Sequence, residues 1–135
     1  MNPKCEGDHT SLKIHKRPWK GKTDFVRKMM ILSDVAHVVR MRSFDFSQID
    51  GEQFPRRVYR LQGHCWSDKF IHNYVALHNV KPSKDFLDWV DSISLKTLEY
   101  DKKYWNAYFK RHTGKQVIDA LKNRSVSLHN KPRVG

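Results

Sequence analysis

The chain has 135 residues, 39 % of them hydrophobic, with 4 Trp, 5 Tyr and 7 Phe; that excludes a disordered chain and allows one domain around one moderate core. Lys and Arg number 26 against 14 Asp and Glu, a formal charge of +12. No stretch approaches the ~20 apolar residues of a membrane span, and the opening MNPKCEGDHT has no apolar run of the kind a secretory signal needs.

In chain order, residues 1–23 read as a basic, flexible N-terminal arm carrying Lys13, Lys16, Arg17, Lys20 and Lys22, with Trp19 among them. Asp24 is a fair N-cap, and Phe25, Met29, Leu32 and Ala36 follow at helical steps. From Val38 the pattern VVRMRSFDF alternates and is β-branched at its start. A helix over about 24–33 followed by a strand over about 36–46 is therefore expected, with one helix to about 42 as the competing reading. Asp50-Gly51 marks a turn, and RRVYRLQGHCW (56–66) alternates again. The two runs predict an antiparallel hairpin.

Ser67 then caps a helix carrying Phe70, Ile71, Tyr74, Val75 and His78, stopped before Pro82. On that spacing His78 sits at the edge of the apolar face and His72 points to solvent. Ser83 caps the next helix, with Phe86, Trp89, Val90 and Ile93 inward. A further helix spans about 97–112 and the last about 115–122, with Val117, Ile118 and Leu121 on one side. Residues 125–135 read as a polar basic tail with Lys131 and Arg133. The expected fold class is α+β: a single small domain over 24–124 with an N-terminal helix, a β-hairpin and three to four helices between basic arms.

Charge is the clearest functional signal. Residues 1–28 hold eight basic and three acidic residues (+5), residues 29–95 eight of each (0), and residues 96–135 ten and three (+7). Basic ends around a neutral centre predict contact with a polyanion. YDKKYWNAYFKR (100–111) interleaves five aromatics with Lys102, Lys103, Lys110 and Arg111. Tyr100, Tyr104 and Tyr108 form an i, i+4, i+8 stripe with Arg111 on the same side, which suits base stacking or phosphate contact if exposed and a core if buried. In the hairpin, Arg40 and Arg42 alternate onto one face, with Arg56, Arg57 and Arg60 opposite, so a basic β-ribbon is a second candidate surface.

Residues of reactive type cluster in GHCWSDKFIHNYVALHN (63–79). Cys5 and His9 with Cys65 and His64, His72 or His78 could ligate zinc, but the close paired spacing of such sites is missing. His64, Asn73 and His78 after a hairpin have the residue types of a metal-dependent nuclease, at compressed spacing. Asp85, Asp88 and Asp91 share a helix face, yet carboxylates at a helix start serve the dipole as readily as a metal. No Gly-rich phosphate loop or serine elbow is present.

No cofactor or metal is therefore expected. The expected function is non-catalytic nucleic-acid binding, DNA slightly ahead of RNA, through Lys13, Lys16, Arg17, Lys20, Lys22, Arg40, Arg42, Arg60, Tyr104, Tyr108 and Arg111. The alternatives are an interaction or inhibitor protein for an acidic partner, and a small nuclease. With no membrane segment or leader recognised, a cytoplasmic or nuclear chain is expected, with Cys5 and Cys65 reduced.

Overall fold

The computed structural model describes residues 5–8 and 13–129. In order it forms helix α1 (Lys22–Val35), strands β1 (His37–Phe46), β2 (Gln53–Leu61) and β3 (His64–Ser67), a π-helix (Lys69–Val75), helix α2 (Lys84–Ser92), a 3₁₀ turn (Leu95–Thr97) and helices α3 (Lys102–Arg111) and α4 (Gly114–Lys122). The class is α+β. The strands make one antiparallel sheet in the order β1-β2-β3. No helix among the described residues is long and apolar enough to cross a membrane.

Helix α1 is central, with Phe25, Val26, Met29, Met30, Ile31 and Leu32 all buried. It begins two residues before the expected Asp24 cap, because Gly21 takes a left-handed turn (φ 89°) that a residue with a Cβ avoids. β-branched Val38 and Val39 then carry the chain into β1, and the competing long helix does not form. Cross-strand partners share a face. Val38, Tyr59 and Trp66 form one row on the core side, and His37, Arg60 and Cys65 form the next row on the opposite side. Tyr59 and Trp66 are fully buried and stacked at 6.0 Å, and Trp66 Nε1 donates to Ser33 Oγ of α1 (2.9 Å). Each such buried side chain is worth roughly 2–3 kcal/mol of transfer free energy.

The stretch expected to be one strand, 56–66, is two. Gln62 (φ 50°) and Gly63 (φ 82°) make a two-residue turn between Leu61 and His64. Positive φ at both central positions matches the right-handed twist of a tight hairpin, and Gly63 makes it available. A third strand results.

After it the chain does not enter an ordinary α-helix. Residues 69–75 are π-helical, with Ala76 N–H donating to Ile71 O and His78 N–H to Asn73 O, both five residues back. The wider turn changes which side chains point inward, and all seven residues are buried. His72, expected at the surface from α-helical spacing, is only 4 % exposed and donates from Nδ1 to Leu121 O (2.9 Å). Ser83 caps its helix as expected, and Asp101 and Thr113, not singled out from the sequence, likewise accept from a first-turn N–H; Thr113 with Gln116 completes a capping box.

Two segments expected outside the fold are part of it. Val126 and Leu128 are buried in the core, so packing runs past the expected end at 124. At the other end, Cys5 is disulfide-bonded to Cys65, with Cα atoms 4.6 Å apart. This replaces the expected pair of reduced thiols, because residues 5–8 lie along β3: Glu6 N–H donates to Cys65 O (2.9 Å). Glu6 then accepts from the N–H and hydroxyl of Ser83, at the start of α2. His9, Lys131 and Arg133 lie outside the described residues.

The bond closes a span of 60 residues, and chain entropy for a loop of that length is about 4 kcal/mol. Reduction, or Cys5→Ser, is expected to cost about 2–4 kcal/mol in urea unfolding; an unchanged midpoint would contradict a bond formed in solution. Burial holds the His72 ring below its ordinary pKa, outweighing the attraction of Asp68. The unfolded chain therefore takes up a proton that the folded one refuses. Stability should be complete above about pH 7 and fall as pH drops below ~6.5, by at most about 1.4 kcal/mol per unit from this group, readable as the unfolding midpoint against pH.

Candidate nucleic-acid interface

Strand β1 lies at the sheet edge, so a full row of its backbone N–H and C=O groups faces away from β2. Between the pairs Arg40–Arg57 and Phe44–Pro55, β1 has three residues (41, 42, 43) where β2 has one (Arg56). Because the excess is two residues, the alternation of facing is kept across this bulge. Beyond it, Asp45 pairs with buried Phe54 on one face, while Phe44 with Pro55 and Phe46 with Gln53 are exposed on the other, the face that carries Arg40 and Arg57. Met41 is 45 %, Phe44 53 % and Phe46 56 % exposed. Three large apolar side chains on one strand are thus open to solvent, Phe44 and Phe46 on the same face. Around them stand Arg40 and Arg42, both exposed and without a hydrogen bond or ion pair among the described residues. Arg56 donates to Phe44 O (3.2 Å) and lies 4.0 Å from Asp45, and Arg60 is exposed beside His37.

The hairpin that carries this surface is held rigidly at its tip. Ser47 Oγ donates to Asn73 Oδ1 (2.7 Å), while Asn73 Nδ2 donates to Asp50 Oδ2 (2.9 Å) and Glu52 Oε2 (3.2 Å). His78 Nε2 donates to Asp50 Oδ2 (2.7 Å), and Gln48 N–H donates to Tyr74 Oη (3.0 Å). Partial burial alone would raise the Asp50 carboxyl, but the bonds from Asn73, the Glu52 N–H, His78 and Ser47 outweigh it and hold Asp50 well below the usual carboxylate range. Asp50 therefore stays ionised at neutral pH, and the tip stays tied to the helical body.

The other predicted contacts separate into exposed and buried sets. Lys13, Lys16, Arg17 and Lys20 are exposed, on a segment fixed to the body by Trp19 Nε1 donating to Val80 O (3.2 Å). Lys22 departs from the phosphate role expected of it. It is 3 % exposed and donates to Ala76 O (2.9 Å) and Asn79 Oδ1 (2.6 Å). Burial, with repulsion from Lys122, lowers its pKa to about 8. Its ammonium closes the C-terminal end of the π-helix, a role that a basic arm in the sequence does not announce.

The tyrosine stripe also turns inward. Tyr108 is 4 % exposed and stacks on His112 at 4.1 Å, and Tyr104, half-buried, stacks on Tyr108 at 6.5 Å. Arg111 remains exposed on α3. Stacking surface is thus absent where the sequence suggested it and present on β1. Alternation places Phe44 and Phe46 on the face of Val38, and the pairs Phe44–Pro55 and Phe46–Gln53 keep them there; they are exposed because at this end of the ribbon the opposite face, that of Phe54, is the buried one.

The residues of reactive type are dispersed. His64 stacks on Trp89 at 4.1 Å, whereas Asn73 and His78 meet at Asp50, so the three are not assembled around one point. Cys5 and Cys65 are bonded to each other, and among the described residues no group of three or more His, Cys, Asp or Glu is placed to hold a metal.

Asn73→Ala leaves the Ser47 hydroxyl buried without its acceptor and frees Asp50 and Glu52. It is expected to cost about 2–3 kcal/mol and to speed hydrogen exchange in the 47–53 amides more than in α1, as read by NMR or mass spectrometry. Compared with family models, with curated proteins and with solved structures, the chain matches none of them.

Proposed function

We propose that this chain is a non-catalytic nucleic-acid-binding protein whose contact surface is the exposed part of β1 that carries Arg40, Arg42, Phe44 and Phe46, supported by the exposed cations of residues 13–20. One observation carries the reading: Arg40 and Arg42, without a counter-ion among the described residues, share an edge strand with exposed Met41, Phe44 and Phe46. Phosphates supply the missing counter-charge, and apolar rings beside them suit bases. Arg60 lies on the opposite face, beside His37, while Lys13, Lys16, Arg17 and Lys20 add charge that attracts a polyanion at long range. Lys22 and Tyr108, buried and engaged elsewhere, are not part of the surface, and Tyr104 and Arg111 lie on α3, outside the strip.

A second reading rests on the free backbone edge of β1, which can add an extended strand from an acidic protein. The two readings separate on isolation: nucleic acid that travels with the protein absorbs at 260 nm, whereas a protein partner appears in stoichiometric amount.

The test is affinity for DNA and RNA against salt. A polyelectrolyte contact loses affinity steeply between about 50 and 200 mM salt, because bound phosphates release counter-ions. Arg40→Ala with Arg42→Ala is expected to reduce the slope of log K against log salt by about 1 for each arginine. A flat dependence in the unaltered protein would overturn the proposal.

A further inference from the structure

The two-stranded ribbon that enters a major groove must present both faces and its tip to the duplex, in a groove about 12 Å wide. The β1–β2 ribbon cannot do this. One of its faces carries buried Tyr59 and the other buried Phe54, β3 is paired to its second strand, and its tip is bonded to Asn73, Tyr74 and His78. What remains open is a strip of β1: its edge and the exposed side chains of Arg40, Arg42, Phe44 and Phe46. Along that strip Phe44 and Phe46 are two residues apart, which at ~3.3 Å per residue is about 6.6 Å, close to two base steps of ~3.4 Å along a nucleic-acid strand.

We propose that this strip selects single-stranded over duplex nucleic acid, with bases stacking on Phe44 and Phe46 and with Arg40 and Arg42 holding the phosphates on either side of Met41. This deepens the nucleic-acid reading above and rests on it. The faces of bases within a duplex are covered by their neighbours, so exposed phenyl rings gain nothing from a duplex, whereas an unpaired strand offers a π-face at every position and stacks without regard to sequence. The rings are presented by a strand whose tip is already fixed, so little ordering cost falls on binding.

A second copy of the chain is a poor occupant of the same edge. Antiparallel pairing of two β1 strands would set Arg40 and Arg42 against the same residues of the other chain, and directly opposed like charges destabilise a strand pair. An acidic extended peptide satisfies the arginines but gives the two rings no particular partner.

The experiment is fluorescence anisotropy at fixed salt, with a labelled oligothymidylate, an RNA of the same length and a duplex of the same length. Three proteins are compared: the unaltered chain, Phe44→Ala with Phe46→Ala, and Arg40→Ala with Arg42→Ala. All four positions are exposed, so circular dichroism should report an unchanged fold. The unaltered chain is expected to prefer the single strands. The phenylalanine variant should lose about tenfold or more for single strands and keep its duplex affinity, and the arginine variant should lose affinity for both. If the phenylalanine variant keeps full single-strand affinity while the arginine variant loses it, or if duplex binds as well as single strand, the selectivity is overturned and nucleic-acid binding stands. If no oligonucleotide binds with salt dependence, the nucleic-acid reading itself fails. Competition by polyglutamate as effective as by oligothymidylate, at equal charge, overturns the base-stacking inference in favour of an acidic peptide.

Discussion

The segment from Asn73 to Val80 is the constraint on which the rest of the molecule depends. The π-helix ends there with carbonyls that an α-helical turn would have used differently, and neighbours satisfy them. Lys22 reaches from the start of α1 to Ala76 O and Asn79, Trp19 reaches Val80 O, and Val80 N–H donates back to Tyr74 O. From the other side the hairpin tip arrives, with Ser47, Asp50 and Glu52 on Asn73 and with Asp50 on His78. A buried polar junction of this kind is costly if half made, because each unmatched group loses its hydration without return. Here the amide of Asn73 donates to two carboxylates and accepts from one hydroxyl.

That junction explains why charged and polar groups are tolerated so deep in a small protein. Lys22, His72 and Asp68 are all buried. Asp68 accepts from Tyr59 Oη (2.6 Å) and lies 3.7 Å from Arg57, which donates to Ser127. His72 sits beside the same group as a neutral ring held by Leu121 O. These contacts join the sheet, the π-helix and the chain after α4, which is why packing continues to Leu128. Truncating one partner of a buried charged pair is expensive even where the pair as a whole contributes little. The disulfide acts in the same sense at the opposite edge of the sheet, drawing Glu6 to the first turn of α2.

The consequence for function is a division of the positive charge. Some cations are structural: Lys22 closes a helix end, Arg57 answers Asp68, Lys69 answers Asp45 at 3.1 Å, and Arg124 answers Glu52 and lies over Phe54. Others are left without counter-ions among the described residues, Arg40 and Arg42 included, and these share a strand with exposed rings. A net charge of +12 does not distinguish the two sets, since a buried lysine and a free arginine count equally in a sum.

The sequence by itself determined the α+β class, the first helix and the turn into β1, and the capping residue Ser83. These are local matters: periodicity, β-branching and side-chain oxygens three residues from an N–H. It also determined that the chain is basic at both ends. Only the tertiary structure decided which residues face out. The Gln62-Gly63 turn divided one expected strand into two, the π-helical turn brought His72 inside, and burial of the Phe54 face of the hairpin left Phe44 and Phe46 in solvent while Tyr108 went into the core. Each of these depends on the facing of a few residues, and facing is set by hydrogen-bond register and by what packs on the other side. Neither is written in the spacing of apolar residues along the chain. The pairing of Cys5 with Cys65 was hidden for the same reason, because 60 residues of separation in sequence say nothing of two backbones lying side by side.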